Sequence, residues 1–162
     1  MPVISMMQRK GGVGKTTLAV HLSAELKRMK PDLKVAIADA DPQGSATSWI
    51  KRSKGDLPLD VMPVATDGEG KKLKTELKDL DADITILDLP PAIASVNLRA
   101  ALYSDLMLVP IGASAVDIDS ARSAIEVCKE VKEMDDRKEY LLVPNRIQKT
   151  TTSGKELREV LN

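Results

Sequence analysis

Short apolar segments alternate with amphipathic segments along this chain, and this alternation restricts the fold more than any other feature. The strongest apolar segments are Val3 to Met7, Val35 to Ala38, Ile84 to Leu87, Leu106 to Val109 and Tyr140 to Val143. Leu59 to Val64 is a weaker candidate that follows a polar loop at Lys51 to Asp56. Strands that alternate with helices predict an α/β fold with a mainly parallel sheet and helices on both faces.

The segments between the predicted strands carry apolar residues at helical spacing. These stripes are Leu18, Leu22, Leu26 and Met29, followed by Pro31; Leu73, Leu77 and Leu80; Leu98, Ala101 and Leu102; and Ile118, Ala121, Ile125 and Cys128. A spacing of three and four residues places each set on one face of a helix. Ser153 and Glu156 have the spacing of a capping box before a further apolar stripe.

Polar residues and glycines cluster where the predicted strands end. The clusters are Lys10 to Thr17, Asp39 to Gly44, Asp88 to Pro91, Pro110 to Asp117 and Pro144 to Gln148. In open parallel sheets, ligands bind outside the carboxyl ends of the strands. The clusters therefore predict one shared site at that edge of the sheet.

The segment Lys10 to Thr17, K-G-G-V-G-K-T-T, lies between the first strand and the first helix. Its glycines let several backbone N–H groups point at a phosphate, and the following helix adds its N-terminal dipole. Lys15 would neutralise the β- and γ-phosphates, and the Thr16 hydroxyl would be a ligand of Mg²⁺. The alternative is a glycine-rich turn that only joins strand to helix. Agreement of strand, loop, Lys-Thr pair and helix favours a P-loop NTPase that binds ATP.

The loop departs from the usual G-x-x-x-x-G-K-[ST] pattern, because Arg9 replaces the first glycine and Lys10 precedes the paired glycines. This deviant Walker A motif resembles that of the ParA/MinD family of ATPases. The resemblance implies that the nucleotide is held by Lys10, Gly11, Gly12, Val13, Gly14, Lys15, Thr16 and Thr17. It also implies that Lys10 reaches the partner's nucleotide across a homodimer, as an arginine finger does. The alternative for Lys10 is an ordinary exposed lysine.

Two acidic loops extend the resemblance. The sequence D-A-D-P-Q-G at Asp39 to Gly44 is similar to the first switch region of the family, which implies that Asp41 orients the attacking water and Asp39 holds Mg²⁺ through water. Asp88 ends an apolar strand in the Walker B manner and is expected to hold Mg²⁺ through a bound water or through Thr16, which is itself an expected ligand. Taken alone, Asp39 and Asp41 would be turn residues, with Pro42 fixing the turn.

Two further positions are similar to family positions. Asn145 follows the last strong strand, and the resemblance implies that its amide reads the edge of adenine. Asp117 matches a position near the dimer interface, although a helix N-cap explains it equally well.

The resemblance covers essentially the whole chain, so we expect residues 1–162 to form a single P-loop ATPase domain. Family members usually continue with another strand and one or two helices, which close the adenine pocket and carry part of the DNA-binding surface. This chain ends at Asn162. A fragment and a divergent short form both remain open.

The favoured function is that of a ParA-like switch ATPase. ATP and Mg²⁺ would close a homodimer that binds double-stranded DNA non-specifically. A ParB-like or other adaptor protein would stimulate an otherwise slow hydrolysis and release the DNA. The cargo would be a plasmid, a chromosome or a large cellular assembly.

Two other functions on the same fold are alternatives. A MinD-like ATPase that associates with membranes normally needs a C-terminal amphipathic helix, and Ser153 to Asn162 is short with few apolar residues. A metabolic P-loop enzyme is the other alternative. The nitrogenase-like branch of this class needs cysteines that hold its iron–sulfur cluster. A biotin-pathway ligase needs a pocket for a small-molecule acid, and the sequence contains no motif for such a pocket.

Composition bears on location and on partners. Lys plus Arg and Asp plus Glu both number 24, so any attraction for DNA must come from a local patch. The lone cysteine favours a reducing, cytoplasmic setting. The family resemblance implies nucleoid association in a prokaryote. The sequence also has no run of eighteen apolar residues, so membrane association is not expected.

Overall fold

The computed structural model describes residues 1–65, 69–91, 94–147 and 150. Within these residues the strands are β1 Val3–Met6, β2 Val35–Asp39, β3 Asp60–Pro63, β4 Ile84–Asp88, β5 Leu106–Ile111 and β6 Glu139–Pro144. The helices are α1 Lys15–Met29, α2 Ser45–Arg52, α3 Leu73–Lys78, α4 Ala94–Tyr103 and α5 Ala115–Met134. This order confirms the predicted α/β class.

The strands form a sheet in the order β3-β2-β4-β1-β5-β6, in which every described pairing is parallel. All carboxyl ends therefore meet at one edge. In the register of the central strands, Asp88 lies beside Met6 on one side and beside Asp39 on the other. The loops that follow β1, β2 and β4 are thus neighbours, which is why distant polar clusters converge.

Helices cover both faces of the sheet. Helices α1 and α2 pack on one face, where Ala19 and Val20 meet buried strand residues such as Met6 and Ile37. Helices α3, α4 and α5 pack on the other face, around Met107 and strand neighbours of similar size. Burial of each such large aliphatic side chain stabilises the fold by about 1.5–3 kcal/mol. Two apolar layers therefore hold the sheet edge rigid beneath the polar loops.

The predicted helices differ from the observed ones in several places. Helix α2 was not predicted, and it takes in the first residues of the segment interpreted as a polar loop. In the stripe predicted for α4, Ala101 is buried as expected, but Leu98 and Leu102 are 38% and 39% exposed, while Val96 and Asn97 are buried instead. In α5, Ile118 is likewise exposed at 39%.

Two further stripes were predicted one residue too long, because Met29 in α1 is 67% exposed and Leu80 lies beyond the end of α3 at Lys78. The remaining helical predictions hold or concern residues that the structure does not describe. Ala121 and Cys128 are buried in α5 as predicted, and burial raises the pKa of the Cys128 thiol to about 12. The proposed capping box at Ser153 and Glu156 lies outside the described residues. None of the described helices is long and apolar enough to span a bilayer.

Candidate functional site

A cleft of about 750 Å³ opens at the carboxyl edge of the sheet. The loop after β1, the start of α1, the loop after β2, and α2 supply most of its walls. Its lining consists of Gly11, Gly12, Gly14, Lys15, Thr16, Thr17, Asp41, Gln43, Ser45, Ser48, Trp49, Arg52, Pro91 and Arg146. Most of the predicted phosphate loop therefore lines one cleft together with Asp41.

The glycine-rich loop turns sharply into α1. Gly12 and Gly14 have φ values of +76° and +96°, a region that side-chain-bearing residues rarely adopt. Gly14 is the N-cap of α1, and among the described residues no side chain caps this helix. The first turn of α1 also lacks an acidic residue. Its free N–H groups and the positive end of its dipole are thus available to an anion in the cleft.

Lys15 begins α1 and is only 7% exposed. Its Nζ donates a hydrogen bond of 3.3 Å to the carbonyl oxygen of Lys10. Burial lowers the pKa of the Lys15 ammonium, and the charges of Asp88 and Asp41 partly offset that effect. Burial costs the Lys15 ammonium solvation that the two carboxylates only partly replace. A bound phosphate would supply more negative charge, so it would stabilise the charged form of Lys15 further.

Thr16 and Asp88 form a close pair under the loop. The Thr16 hydroxyl donates to Asp88 Oδ2 at 2.6 Å, while the buried Oδ1 has no hydrogen-bond partner among the described residues. Burial raises the pKa of Asp88 to about 6; the Thr16 hydrogen bond and Lys15 oppose this rise, whereas Asp39 and Asp41 add to it. An unpaired buried carboxylate oxygen beside a hydroxyl is the kind of hard donor that Mg²⁺ takes.

The residues at this site fit Mg²⁺ rather than a metal with an all-protein ligand cage. The described residues contain no group of three or more His, Cys, Asp or Glu side chains that could hold a metal. Mg²⁺ usually keeps several waters and uses only one or two carboxylates together with substrate phosphates. The orphaned oxygen of Asp88 and the hydroxyl of Thr16 could therefore hold it when a nucleotide is bound.

Asp39 is engaged by the start of α2. Its Oδ2 accepts hydrogen bonds from the Thr47 backbone N at 2.8 Å and the Thr47 hydroxyl at 2.7 Å, and its Oδ1 accepts from Asp41 N at 3.3 Å. Asp39 is 3% exposed. Its carboxylate thus anchors α2 and the acidic loop. The role of Asp39 in holding Mg²⁺ through water stays a prediction. Asp39 would have to play that role while keeping its hydrogen bonds to Thr47 and Asp41.

Asp41 is half-buried and lines the cleft. Its Oδ1 accepts from the backbone N of Gln43 at 2.9 Å, which is an Asx-type turn. The turn interpretation and the cleft position are therefore compatible, because one oxygen fixes the loop while the carboxylate remains beside Lys15.

Lys10 does not face the cleft in this conformation. Its Nζ pairs with Asp117 Oδ1 at 2.6 Å, at the start of α5. That hydrogen bond, then the one from the Ser114 hydroxyl, lowers the pKa of Asp117. The N-cap alternative for Asp117 was wrong, because Ser114 is the N-cap and accepts from the backbone N of Asp117. Asp117 instead completes the cap from the third helical position and holds Lys10.

Asn145 lies beside the phosphate loop. Its Nδ2 donates to the carbonyl oxygen of Val13 at 2.7 Å, and its Oδ1 accepts from Arg146 N at 3.0 Å. The contact with adenine stays a prediction. The structure brings this residue together with the loop across most of the chain length.

Sequence reasoning missed several residues that shape the site. Gln8 is fully buried, and its Oε1 accepts from the backbone N of Arg9 at 2.9 Å, which orients the entrance of the loop. Thr47 fixes Asp39, and Trp49 lines the cleft while packing edge-to-face on His21 with ring centroids 5.9 Å apart. A polar residue directly after an apolar strand was the available signal for Gln8. No local signal marks Thr47.

The raised pKa of Asp88 predicts a pH-dependent stability. Because the folded-state pKa lies above the ordinary value of 3.8, the folded protein binds this proton more tightly than the unfolded chain does. The resulting stabilisation of the folded state is present below pH 4 and is lost as the pH rises through about 6. Without Mg²⁺ and nucleotide, Asp88→Asn should therefore exceed wild type at pH 7.5 by about 2 kcal/mol in free energy of unfolding. Urea denaturation at pH 4 and pH 7.5 in a chelator measures this difference.

A matched control is Asp60→Asn, because Asp60 is exposed on β3. The difference in free energy of unfolding between Asp60→Asn and wild type should be the same at both pH values. A stability difference for Asp88→Asn that stays the same at both would contradict the pKa assignment.

The parallel sheet, the glycine loop before α1 and the Thr16–Asp88 pair define a P-loop nucleoside triphosphatase domain. The chain belongs to the CobQ/CobB/MinD/ParA nucleotide binding domain family, whose profile matches residues 4–161. This is a family of nucleotide-binding P-loop ATPases that includes the ParA-like partition and positioning proteins. The predicted resemblance is thereby confirmed.

The relatives of this chain include two proteins that are more than 30% identical to it. Protein ParA of Rhizobium radiobacter is 32% identical over 139 residues, which cover 85% of this chain and 61% of that protein. Maintenance of carboxysome distribution protein A of Gloeobacter kilaueensis is 33% identical over 118 residues, which cover 72% of this chain and 51% of that protein. The chain thus spans between half and two thirds of the length of these relatives.

Solved structures share the fold at lower identity. A plasmid partition protein from Borrelia burgdorferi has a TM-score of 0.78 at 23% identity, with 99% of this chain and 84% of that chain covered. Cobyrinic acid a,c-diamide synthase from Mycobacterium smegmatis, solved with ADP and magnesium, has a TM-score of 0.80 at 20% identity, covering 99% and 81%. Both confirm the P-loop α/β architecture.

Proposed function

We propose that this protein is an ATP-dependent switch of the partition and positioning type, which binds Mg-ATP in the cleft and hydrolyses it. The observation that carries the proposal is that Lys15, Thr16 and Asp41 line one cleft at the sheet edge, where Thr16 is paired with the buried Asp88. Residues 1–162 would act as one ATPase domain.

The first step is binding of the triphosphate by the loop. The N–H groups around Gly14 and the first turn of α1 hold the phosphates, and Lys15 neutralises their charge. Thr16 and Asp88 would hold Mg²⁺, with Asp39 holding it through water, and the ion would supply charge neutralisation on the phosphate oxygens. Burial of Asp88 and Lys15 supports this assignment, because neither charge is well compensated in the free protein.

The hydrolytic step requires a water held in line with the γ-phosphate. Asp41 orients that water, and the Asx turn to Gln43 fixes the aspartate in the loop. Phosphoryl transfer depends on positioning and neutralised charge more than on a strong base. A half-buried carboxylate at the wall of the cleft meets this requirement.

Lys10 acts on the nucleotide of a second copy. In the present conformation Asp117 holds its ammonium at 2.6 Å, at the rim of the loop rather than in the cleft. Closure of a homodimer would exchange this carboxylate for the partner's phosphates, which carry more negative charge. Such an exchange leaves catalysis incomplete in the monomer and couples hydrolysis to dimerisation.

Lys10→Ala tests this role. We expect Mg-ATP to bind within about threefold of the wild-type affinity, since Lys10 does not line the cleft, whereas ATP hydrolysis should fall about 10³-fold, as on loss of an arginine finger. Calorimetry measures the first quantity, and phosphate release at several protein concentrations measures the second.

Arg9→Ala is the matched control, because it removes a neighbouring exposed cation from the same loop. It should behave as wild type in both assays. If Lys10→Ala also hydrolysed ATP at the wild-type rate, the deviant motif would have no catalytic meaning in this chain.

The likeness to Protein ParA and to the carboxysome distribution protein supports a cargo-moving function. We propose a prokaryotic cytoplasmic protein associated with the nucleoid. Its ATP-bound homodimer would bind double-stranded DNA non-specifically, and a ParB-like or other adaptor would stimulate hydrolysis. The cargo would be a plasmid, a chromosome or a large assembly. A MinD-like membrane role and a metabolic role remain the competing functions, and no observation favours either.

A further inference from the structure

Asn145 is fixed in place by its own backbone. It follows directly after β6, and its backbone N donates to the carbonyl oxygen of Ile111, the last residue of β5, at 2.8 Å. Its side chain then reaches back 132 positions along the chain to donate to Val13 O at 2.7 Å. Strands β5 and β6 therefore fix the position of Asn145, and Asn145 in turn binds the phosphate loop.

The contact acts on the peptide that enters α1. A trans peptide is planar, so fixing the direction of the Val13 carbonyl also fixes the Gly14 N–H in the opposite direction. Gly14 lines the cleft and is the N-cap of α1. A Cβ added to Gly14 would lie 2.3 Å from Asn145 Nδ2, so the approach needs a glycine there. The two residues are thus fitted to each other.

Both polar atoms of the Asn145 amide are engaged within the protein. Nδ2 uses one hydrogen on Val13 O, and Oδ1 accepts from Arg146 N, whose residue has a φ of +56°. The second contact closes a tight local turn and orients the amide so that its donor faces the loop. Both contacts join atoms of the protein itself, so they act directly on the geometry of the loop.

We propose that Asn145 is a positioning residue that holds the phosphate loop in its anion-binding geometry. It therefore contributes to affinity for the triphosphate chain of a nucleotide, whichever base is attached. The proposal deepens the nucleotide-binding function proposed above and rests on it. The ligand whose binding depends on Asn145 is a polyphosphate bound to Mg²⁺.

The test compares three ligands by calorimetry: Mg-ATP, Mg-GTP and Mg-tripolyphosphate, the last of which has no base. Asn145→Ala should weaken binding of all three ligands, the base-free Mg-tripolyphosphate included, by about tenfold or more, since the Val13 carbonyl loses its donor and the loop loses its constraint.

Asn145→Asp is the second variant. It keeps the side-chain size but faces the Val13 carbonyl with an acceptor, so it should cause an equal or larger loss for all three ligands. Melting of each variant without ligand establishes that it is folded. A merely structural role would lower the melting temperature and leave the affinities of the folded protein unchanged.

The outcomes separate the possible failures. A loss confined to ATP, with tripolyphosphate binding unchanged, would make Asn145 a reader of adenine and overturn the proposal. Unchanged affinities for all three ligands in both folded variants would also overturn it. Failure of the wild-type protein to bind any of the three would instead reject the nucleotide-binding function itself.

Discussion

Lys15→Ala is expected to weaken Mg-ATP binding at least 100-fold. The ammonium is buried beside the loop and would lose charge-assisted hydrogen bonds to phosphate, each contributing about 1.5–3 kcal/mol. Burial already lowers the pKa of Lys15, so its removal should not destabilise the free protein. Because the lone tryptophan, Trp49, lines the cleft, its fluorescence during a nucleotide titration reports binding directly.

Lys30→Ala is the control, since Lys30 is an exposed lysine at the opposite end of α1. It should bind Mg-ATP as wild type does. If Lys15→Ala retained normal ATP turnover while folded, the glycine loop would be a structural turn and the P-loop assignment would fail.

Asp41→Ala should separate binding from hydrolysis. The change removes a negative charge near Lys15, so Mg-ATP affinity should stay the same or increase. Turnover should fall about 10²- to 10⁴-fold, because the attacking water loses the group that orients it. Calorimetry with Mg-ATP and single-turnover phosphate release measure the two quantities on the same sample.

Asp56→Ala is an exposed-aspartate control from the loop after α2, and it should leave both quantities unchanged. Unaltered turnover in Asp41→Ala would remove Asp41 from the reaction. A simultaneous loss of ATP binding and α-helical signal would instead show that the Asx turn to Gln43 matters mainly for folding.

Much of the fold could be predicted because it depends on local patterns. The residues of β2 before Asp39 are all apolar, which predicts burial on both faces, and the glycines before Lys15 mark the entry to α1. Helix α2 was missed although Ala46, Trp49 and Ile50 have helical spacing, because a polar segment starts at its last two residues. Its eight residues offer too short a pattern to outweigh that composition.

The wrong face of α4 has a different cause. Leu98 and Leu102 are the most apolar residues there, yet the buried side carries Val96 and two alanines, together with Asn97. Small residues let α4 approach its neighbours closely, and such close packing depends on the partner surface rather than on local hydrophobicity. A stripe chosen by side-chain size therefore selects the wrong side.

The predicted site residues also do more than the motifs indicate. Asp39 anchors Thr47, and Lys10 pairs with Asp117 across 107 positions of sequence. Asn145 contacts Val13 over a still longer separation. Motif spacing identifies residues that share a ligand, but it carries no information about how they hold each other before the ligand binds.

The most direct test of the switch is the solution mass of Asp41→Ala by light scattering, first with Mg-ATP and then with Mg-ADP. A dimer with Mg-ATP and a monomer with Mg-ADP is the predicted result, with Lys10→Ala in the same background remaining a monomer in both. A monomer with both nucleotides, in a sample that calorimetry shows to be saturated with ATP, would contradict the switch while leaving the P-loop intact.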